Sequence, residues 1–343
     1  MISRRGSVLI LVLFVLVVLS LFALSLTYRA GLEVRSARVE TRTVTLDALN
    51  RSAVAVALSG LSENTNDFDH LAEPWHDHAL LSEPPRLPEW DVEPGQEGAA
   101  YETDYLVVDE DGKLNVLFAS GEALEDLGFT PGQVDAFFDW MDPDSDVRPA
   151  GAEDRAYAGL PLPYRAKNAE IEVLEELLLL QGVSRAQFDG EDWNRNRRLD
   201  PEENDGPTSE PLDDADGTLR LGLVDLLTAV GDGKINLNTA PREVLETLPI
   251  SDEAVDQIVG FRAFDRDSRG DLADHVFRGV ADIEQLQGLS DEDRAVLSAL
   301  GKFTSQHYRI AVRSKHVDTG VSRGLSVVVE ITSEGPVILL WHP

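Results

Sequence analysis

"MISRRGSVLILVLFVLVVLSLFALSLTYRA", residues 1–30, decides how the chain begins to fold. From Ser7 to Leu26 it runs for twenty residues without a charge. At the helical rise of about 1.5 Å per residue, that run spans roughly 30 Å, the thickness of a bilayer core. Arg4 and Arg5 precede the run and Arg29 closes it, so the positive-inside rule leaves the short N-terminus in the cytoplasm. Beyond it, Leu46, Leu49, Ala53, Ala57 and Leu61 fall on one helical face with Val54 and Leu58 beside it, and no proline interrupts before Pro74. This pattern predicts one helix from about Ser7 to Ser62, roughly 80 Å long, apolar all round in its first half and amphipathic in its second. Such a helix lies half in lipid and half against a folded domain.

Three processing readings compete for the apolar run. A cleaved secretory signal has a shorter apolar core and a small-x-small site at its far end. The best candidate, Ala23-Leu24-Ser25, is still inside the run. A plain anchor has no need of a glycine at position 6. A class III signal uses it: a prepilin peptidase cuts between Gly6 and Ser7 and the apolar run stays in the mature protein. The N-terminus alone leaves the last two readings open.

At 343 residues the chain is long enough for more than one domain. Its net charge is −32, unevenly placed: residues 1–50 hold six Arg against Glu33, Glu40 and Asp47, so the remainder carries −35. Nucleic acid and anionic lipid repel such a surface, whereas divalent cations suit it. With no cysteine there is no disulfide, no thiolate metal site and no cysteine nucleophile.

Residues 63–100 are rich in Pro, Glu and Asp and read as a surface loop. "YETDYLVVDEDGKLNVLF" then predicts two β segments joined as a hairpin around Asp109-Glu110-Asp111-Gly112. Three more strands are expected between Tyr308 and the C-terminus, separated by Asp-Thr-Gly and Ser-Glu-Gly turns. Between these ends a weak repeat recurs in "ALEDLGFTPGQVDAFFDWM", "LEELLLLQGVSRAQF", "VLETLPISDEAVDQIVGFR" and "IEQLQGLSDEDRAVLSAL". Each is a short helix, a tight turn and a second helix capped by Thr130, Ser184, Ser251 or Ser290, with Gln133 and Gln187 completing capping boxes. The fold class is α+β: a long N-terminal helix (7–62) after a leader (1–6), an antiparallel sheet from 63–118 and 303–343, and an inserted all-α domain of helical hairpins over 119–302.

The hairpins resemble helix-hairpin-helix DNA-binding modules, but those present a Gly-x-Gly turn to phosphate. Here a capping side chain takes that place and Asp252-Glu253 or Asp291-Glu292-Asp293 follows. Those acids favour the helix dipole and repel phosphate, so no nucleic-acid partner is expected. Two acidic loops have calcium-loop spacing. "DWNRNRRLDPEE" sets Asp192, Asn194, Asn196, Arg198 (through its carbonyl), Asp200 and Glu203 at positions 1, 3, 5, 7, 9 and 12, with Arg197 in place of the usual glycine. "DPDSDVRPAGAE" sets Asp142, Asp144, Asp146 and Glu153 at 1, 3, 5 and 12, and contains Pro149. Catalytic patterns are wanting: "GVSRG" at 320–324 joins two strands rather than opening a helix, and His70, His76 and His78 read as exposed polar residues of a loop. No enzyme is expected.

The Arg-Gly-apolar N-terminus, "DEDGKLNV", "FFDWMDPDSD…GAED", "PYRAKNAEIEVLEELLLLQGVS" and "GKINLNTAPREVL", in that order, resemble the K-type minor pseudopilins of type II secretion systems, the general secretion pathway protein K family. The resemblance implies cleavage at Gly6/Ser7 and a single-pass inner-membrane protein with a periplasmic C-terminal domain. Its implied partners are I-type and J-type minor pseudopilins, the prepilin peptidase and the inner-membrane secretion platform. Major pilins carry a glutamate at the fifth mature position to pair with a neighbour's terminal ammonium. Here that position is Leu11, which the resemblance makes a tip signature: the subunit caps the pseudopilus, primes its assembly and helps export folded proteins. The resemblance also implies structural calcium in the 142–153 loop, whereas the 192–203 loop rests on spacing alone. A type IV pilus minor pilin, or a membrane-anchored periplasmic calcium-binding helical module, remains open at this point.

Overall fold

The computed structural model describes residues 4–76, 79–80, 101–192, 199, 201–208, 213, 215–263 and 272–342. Its first element is a single helix, α1, Arg4–Glu63, about 90 Å long. Proline is absent from it, and several of its hydroxyl side chains bond back to the helix instead of breaking it: Ser20 and Thr27 donate to the carbonyls four residues earlier. The described side chains from Leu9 to Glu40 are exposed; burial begins at Leu46 and continues at Leu49, Ala53, Val54, Ala57 and Leu61, on the face the periodicity predicts.

The strands are β1 (Ala79–Leu80), β2 (Tyr101–Asp109), β3 (Leu114–Asn115), β4 (Leu227–Thr228), β5 (Ile235–Asn236), β6 (Gly301–Lys302), β7 (His307–His316), β8 (Ser322–Thr332) and β9 (Gly335–His342). Five of them form one sheet in the order β1-β2-β7-β8-β9, so the N-terminal strands join the C-terminal ones across nearly 200 intervening residues. The expected turns hold the C-terminal strands together; β8 and β9 pair antiparallel through Thr332↔Gly335, where Gly335 adopts φ 123°.

The hairpin expected around Asp109–Gly112 does not form. β2 pairs with β7, while β3 turns away and pairs parallel with β4. Long-range ion pairs decide this: Glu110 is met by Arg309 (2.9 Å) and Asp111 by Lys302 (2.7 Å), both far along the chain.

The intervening helices are α2 (Gly121–Asp126), α3 (Pro131–Met141), α4 (Asp154–Tyr157), α5 (Arg185–Asp189), α6 (Leu223–Leu226), α7 (Arg242–Glu246), α8 (Asp252–Arg262), α9 (Val280–Gln285) and α10 (Asp291–Leu300). Thr130, Ser184, Ser251 and Ser290 are the N-caps of α3, α5, α8 and α10, each accepting the N–H three residues on. Gln133 completes its box, and so does Asp293 opposite Ser290. The Gln187 side chain instead donates to the Gly128 carbonyl (3.1 Å), tying two hairpins together.

Two compact units divide the chain: Met1–Ala53 with Leu80–Thr103 and Arg313–Gly324, and Val54–Ala79 with Asp104–Val312 and Leu325–Pro343. In the first, Leu46, Leu49 and Tyr101 form a small core; Tyr101 packs edge-on to His316, and Thr103 Oγ1 meets Ser314 Oγ at 2.9 Å. The second holds the main core, in which Leu124, Phe137, Leu177, Leu227, Ile258 and Phe277 belong to one continuous cluster. The hairpins therefore share one interior.

Candidate functional site

The stem comes first in the chain. Gly6 and Ser7 fall within α1, and their side chains lie outside the described residues. Leu11 is exposed on a helix long and apolar enough to cross a membrane.

The acidic loop after α3 is built around Asp139, one turn before Asp142 and completely buried. Both Asp139 oxygens accept the Arg148 N–H at 3.2 Å, and the Arg148 guanidinium reaches Asp139 (3.3 Å) and Asp142 (3.2 Å) together. Gly151 permits this wrap: a Cβ there would stand 2.0 Å from Asp139 Oδ2. Glu153 closes the loop, buried, with neither carboxylate oxygen hydrogen-bonded, and Asp142 Oδ1 is also buried without a partner. Burial raises the Glu153 pKa, and the charges of Asp139, Asp142 and Asp154 raise it further; burial likewise raises that of Asp139. A buried carboxylate without a donor is costly, and a hard cation satisfies it. The donor set is all-oxygen, as calcium requires.

Asp144 and Asp146 are exposed, and Asp144 Oδ1 accepts the Asp146 N–H at 2.8 Å. The loop thus brings Asp142 and Glu153 of the expected set together with Asp139, which the twelve-residue spacing missed. Its signal was Asp139-x-x-Asp142, two carboxylates a turn apart at a helix end. Among the described residues, no three His, Cys, Asp or Glu side chains already stand in ligand geometry. In the second loop Asp192 and Glu203 are buried, whereas Asn194, Asn196, Arg198 and Asp200 lie outside the described residues. The expected exposure of the loop histidines fails at His70, which is buried with Nε2 2.9 Å from the Arg262 carbonyl; His76 is half-buried against Trp75 and the Val107 carbonyl, and His78 lies outside the described residues.

A second polar centre forms where "DEDGK" meets "GKINLNTA". Asp109 accepts from Thr239 (2.5 Å), Ser305 (2.6 Å), Asn236 (3.3 Å) and the Asp111 N–H (2.9 Å). Glu110, fully buried, takes Lys113, Arg309 and Thr228. Burial works against its charge, but Arg309 and Lys113 prevail and hold it at about 2. Asp111 takes Lys302, His307 and the Gln306 N–H. Burial pushes Asp69 up to about 7 and Asp109 to about 6, and Ser305 bridges the two through its N–H and hydroxyl. Sequence reading missed this centre, although its signal is a repeat, Asp-Gly-Lys-Leu-Asn (111–115) against Asp-Gly-Lys-Ile-Asn (232–236). Both copies end in the same turn: Asn115 Oδ1 accepts the Leu117 N–H and Asn236 Oδ1 the Asn238 N–H. Every group in the centre has a protein partner, which marks it as a structural lock.

A continuous stem helix, a five-stranded sheet closed by distant strands, and a large helical insertion between them define a pilin-like α+β protein with an inserted helical domain. Residues 118–190 match the family model described as Type II secretion system (T2SS), protein K. Among solved structures, the chain is similar to one from the crystal structure of the GspK-GspI-GspJ complex of the enterotoxigenic Escherichia coli Type 2 Secretion System, with a TM-score of 0.54 and 15% identity over 89% of this chain and 98% of that one. At that identity the likeness establishes the fold. Comparison with curated proteins gave no significant match.

Proposed function

We propose that the protein is a minor pseudopilin of a type II secretion system, placed at the tip of the pseudopilus. The observation that carries this reading is the protein K match over 118–190 within a chain that shares the GspK fold over 89% of its length. The stem anchors the subunit in the inner membrane, N-terminus inward, and a prepilin peptidase cuts after Gly6. Leu11 leaves no carboxylate for a subunit above it, and an unpaired terminal ammonium in apolar surroundings is costly, so the subunit suits a position with nothing on top. I-type and J-type minor pseudopilins lie beneath it, and the complex primes the filament that pushes folded proteins outward. The role is mechanical, and no residue is assigned to catalysis.

Calcium belongs to this proposal as a structural ion. Asp139, Asp142 and Glu153 would hold it in the first loop; the 192–203 loop offers Asp192 and Glu203 as its described carboxylates. Bound there, the ion supplies positive charge to buried carboxylates and fixes loops that no disulfide restrains. The test of the whole reading is co-expression of the full-length chain with a prepilin peptidase and the I-type and J-type pseudopilins, followed by purification through a tag on this chain. Recovery of both partners supports the tip assignment; recovery of neither overturns it.

A further inference from the structure

β9, the outer strand of the five-stranded sheet, is where the acidic surface gives way. From Gly335 to Trp341 the chain reads Gly-Pro-Val-Ile-Leu-Leu-Trp, without a charge, in a protein that is 27% charged. Val337, Ile338, Leu339 and Trp341 are 46, 49, 43 and 39% exposed. The register shows what has been left open. Ile338 pairs with Val329 and Trp341 with Val327, and both valines are completely buried. Directly paired residues lie on the same face of a sheet. The face that is fully covered on β8 is therefore half open one strand further out.

An uncharged aromatic and aliphatic patch of this kind has the composition of an interface core. The edge itself is blunted against strand addition: Pro336 has no N–H to donate, and a bulge lies opposite Val328/Val329. The partner must pack side chains instead of adding a strand. A second copy of this chain is disfavoured, because two bodies of net charge −32 repel as they approach. That repulsion equally excludes an anionic lipid surface.

Resting on the function proposed above, we infer that β9, through Ile338 and Trp341, is the face that an apolar, charge-poor surface of a neighbouring minor pseudopilin covers in the tip complex. The similar chain comes from the structure of a GspK-GspI-GspJ complex, and a heteromeric neighbour is the occupant that the proposed function supplies.

The test uses the full-length chain co-expressed with the prepilin peptidase and the I-type and J-type pseudopilins. A photoactivatable benzoylphenylalanine at position 338 should cross-link to one of the two, and mass spectrometry names which. Ile338→Asp should lower co-purification of that partner about tenfold or more, while Leu162→Asp, at an exposed leucine of the helical insertion, leaves it unchanged. Equal melting temperatures for the two variants exclude misfolding as the cause; if Ile338→Asp melts lower, Trp341→Ser, on the same face, and the cross-link carry the test. An intact complex with no cross-link and no effect of Ile338→Asp or Trp341→Ser overturns the inference and leaves the function standing. A cross-link of the chain to itself overturns it also. A wild-type chain that recovers neither partner overturns the function first, and the inference with it.

Discussion

Glu153 is buried with both carboxylate oxygens unpaired, and its raised pKa reflects that burial and the nearby charges of Asp139 and Asp142. Two consequences belong to this residue. Saturating calcium should raise the melting temperature of the wild type: an ion at about 100 times its Kd contributes roughly 2.7 kcal/mol, or about 5–10 °C for a domain of this size. Glu153→Gln should lose most of that gain while being no less stable than wild type in chelator, because the amide removes a buried charge. A calcium-induced shift of equal size in the variant, read by calorimetry, would take Glu153 out of the site. Asp69 and Asp109 give the pH dependence. Their folded pKa values, about 7 and about 6, lie above the ordinary 3.8, so the stability they contribute is full below that ordinary value and disappears as pH rises through 6 to 7. His307, raised by its hydrogen bond to Asp111, acts in the same direction. The chelated protein should therefore melt higher at pH 5 than at pH 8. Asp69→Asn should flatten that difference, and an unchanged pH slope would contradict the assignment.

The elements divide cleanly into those whose cause is local and those whose cause is distant. The stem was legible because helical periodicity and the absence of proline are properties of one segment. The capped hairpins were legible because Thr130, Ser184, Ser251 and Ser290 act on N–H groups three residues away. The hairpin expected around Asp109–Gly112 failed because the turn chemistry of Asp-Gly is local, while Arg309, Lys302 and β7 are not. Asp139 was missed for a related reason: calcium-loop spacing starts its count at Asp142, and the burial of the preceding helical turn is a fact of packing. Two substitutions separate these kinds of cause. Ser290→Ala should cost about 1 kcal/mol by denaturant unfolding, the ordinary value of a cap. Gly190→Ala should cost roughly 3 kcal/mol or more: its φ is +69°, and a Cβ there would lie 2.3 Å from the Gly222 nitrogen, where α5 ends against the segment leading into α6. A Gly190→Ala protein as stable as wild type would mean that this crossing is looser than drawn.

At the scale of the whole molecule, one asymmetry organises the account. A stem that is uncharged for twenty residues precedes a remainder that carries −35. The stem is a helix long and apolar enough to cross a membrane; the remainder is strongly acidic and carries no Asp, Glu, Lys or Arg along β9. If the stem is a pilin-type helix, kept after processing and used for assembly, the mature N-terminus shows it. The full-length chain co-expressed with a prepilin peptidase should yield, by mass spectrometry, a protein that begins at Ser7 and retains the apolar run. An intact Met1, or a cut beyond Ala23 that removes the run, would contradict it.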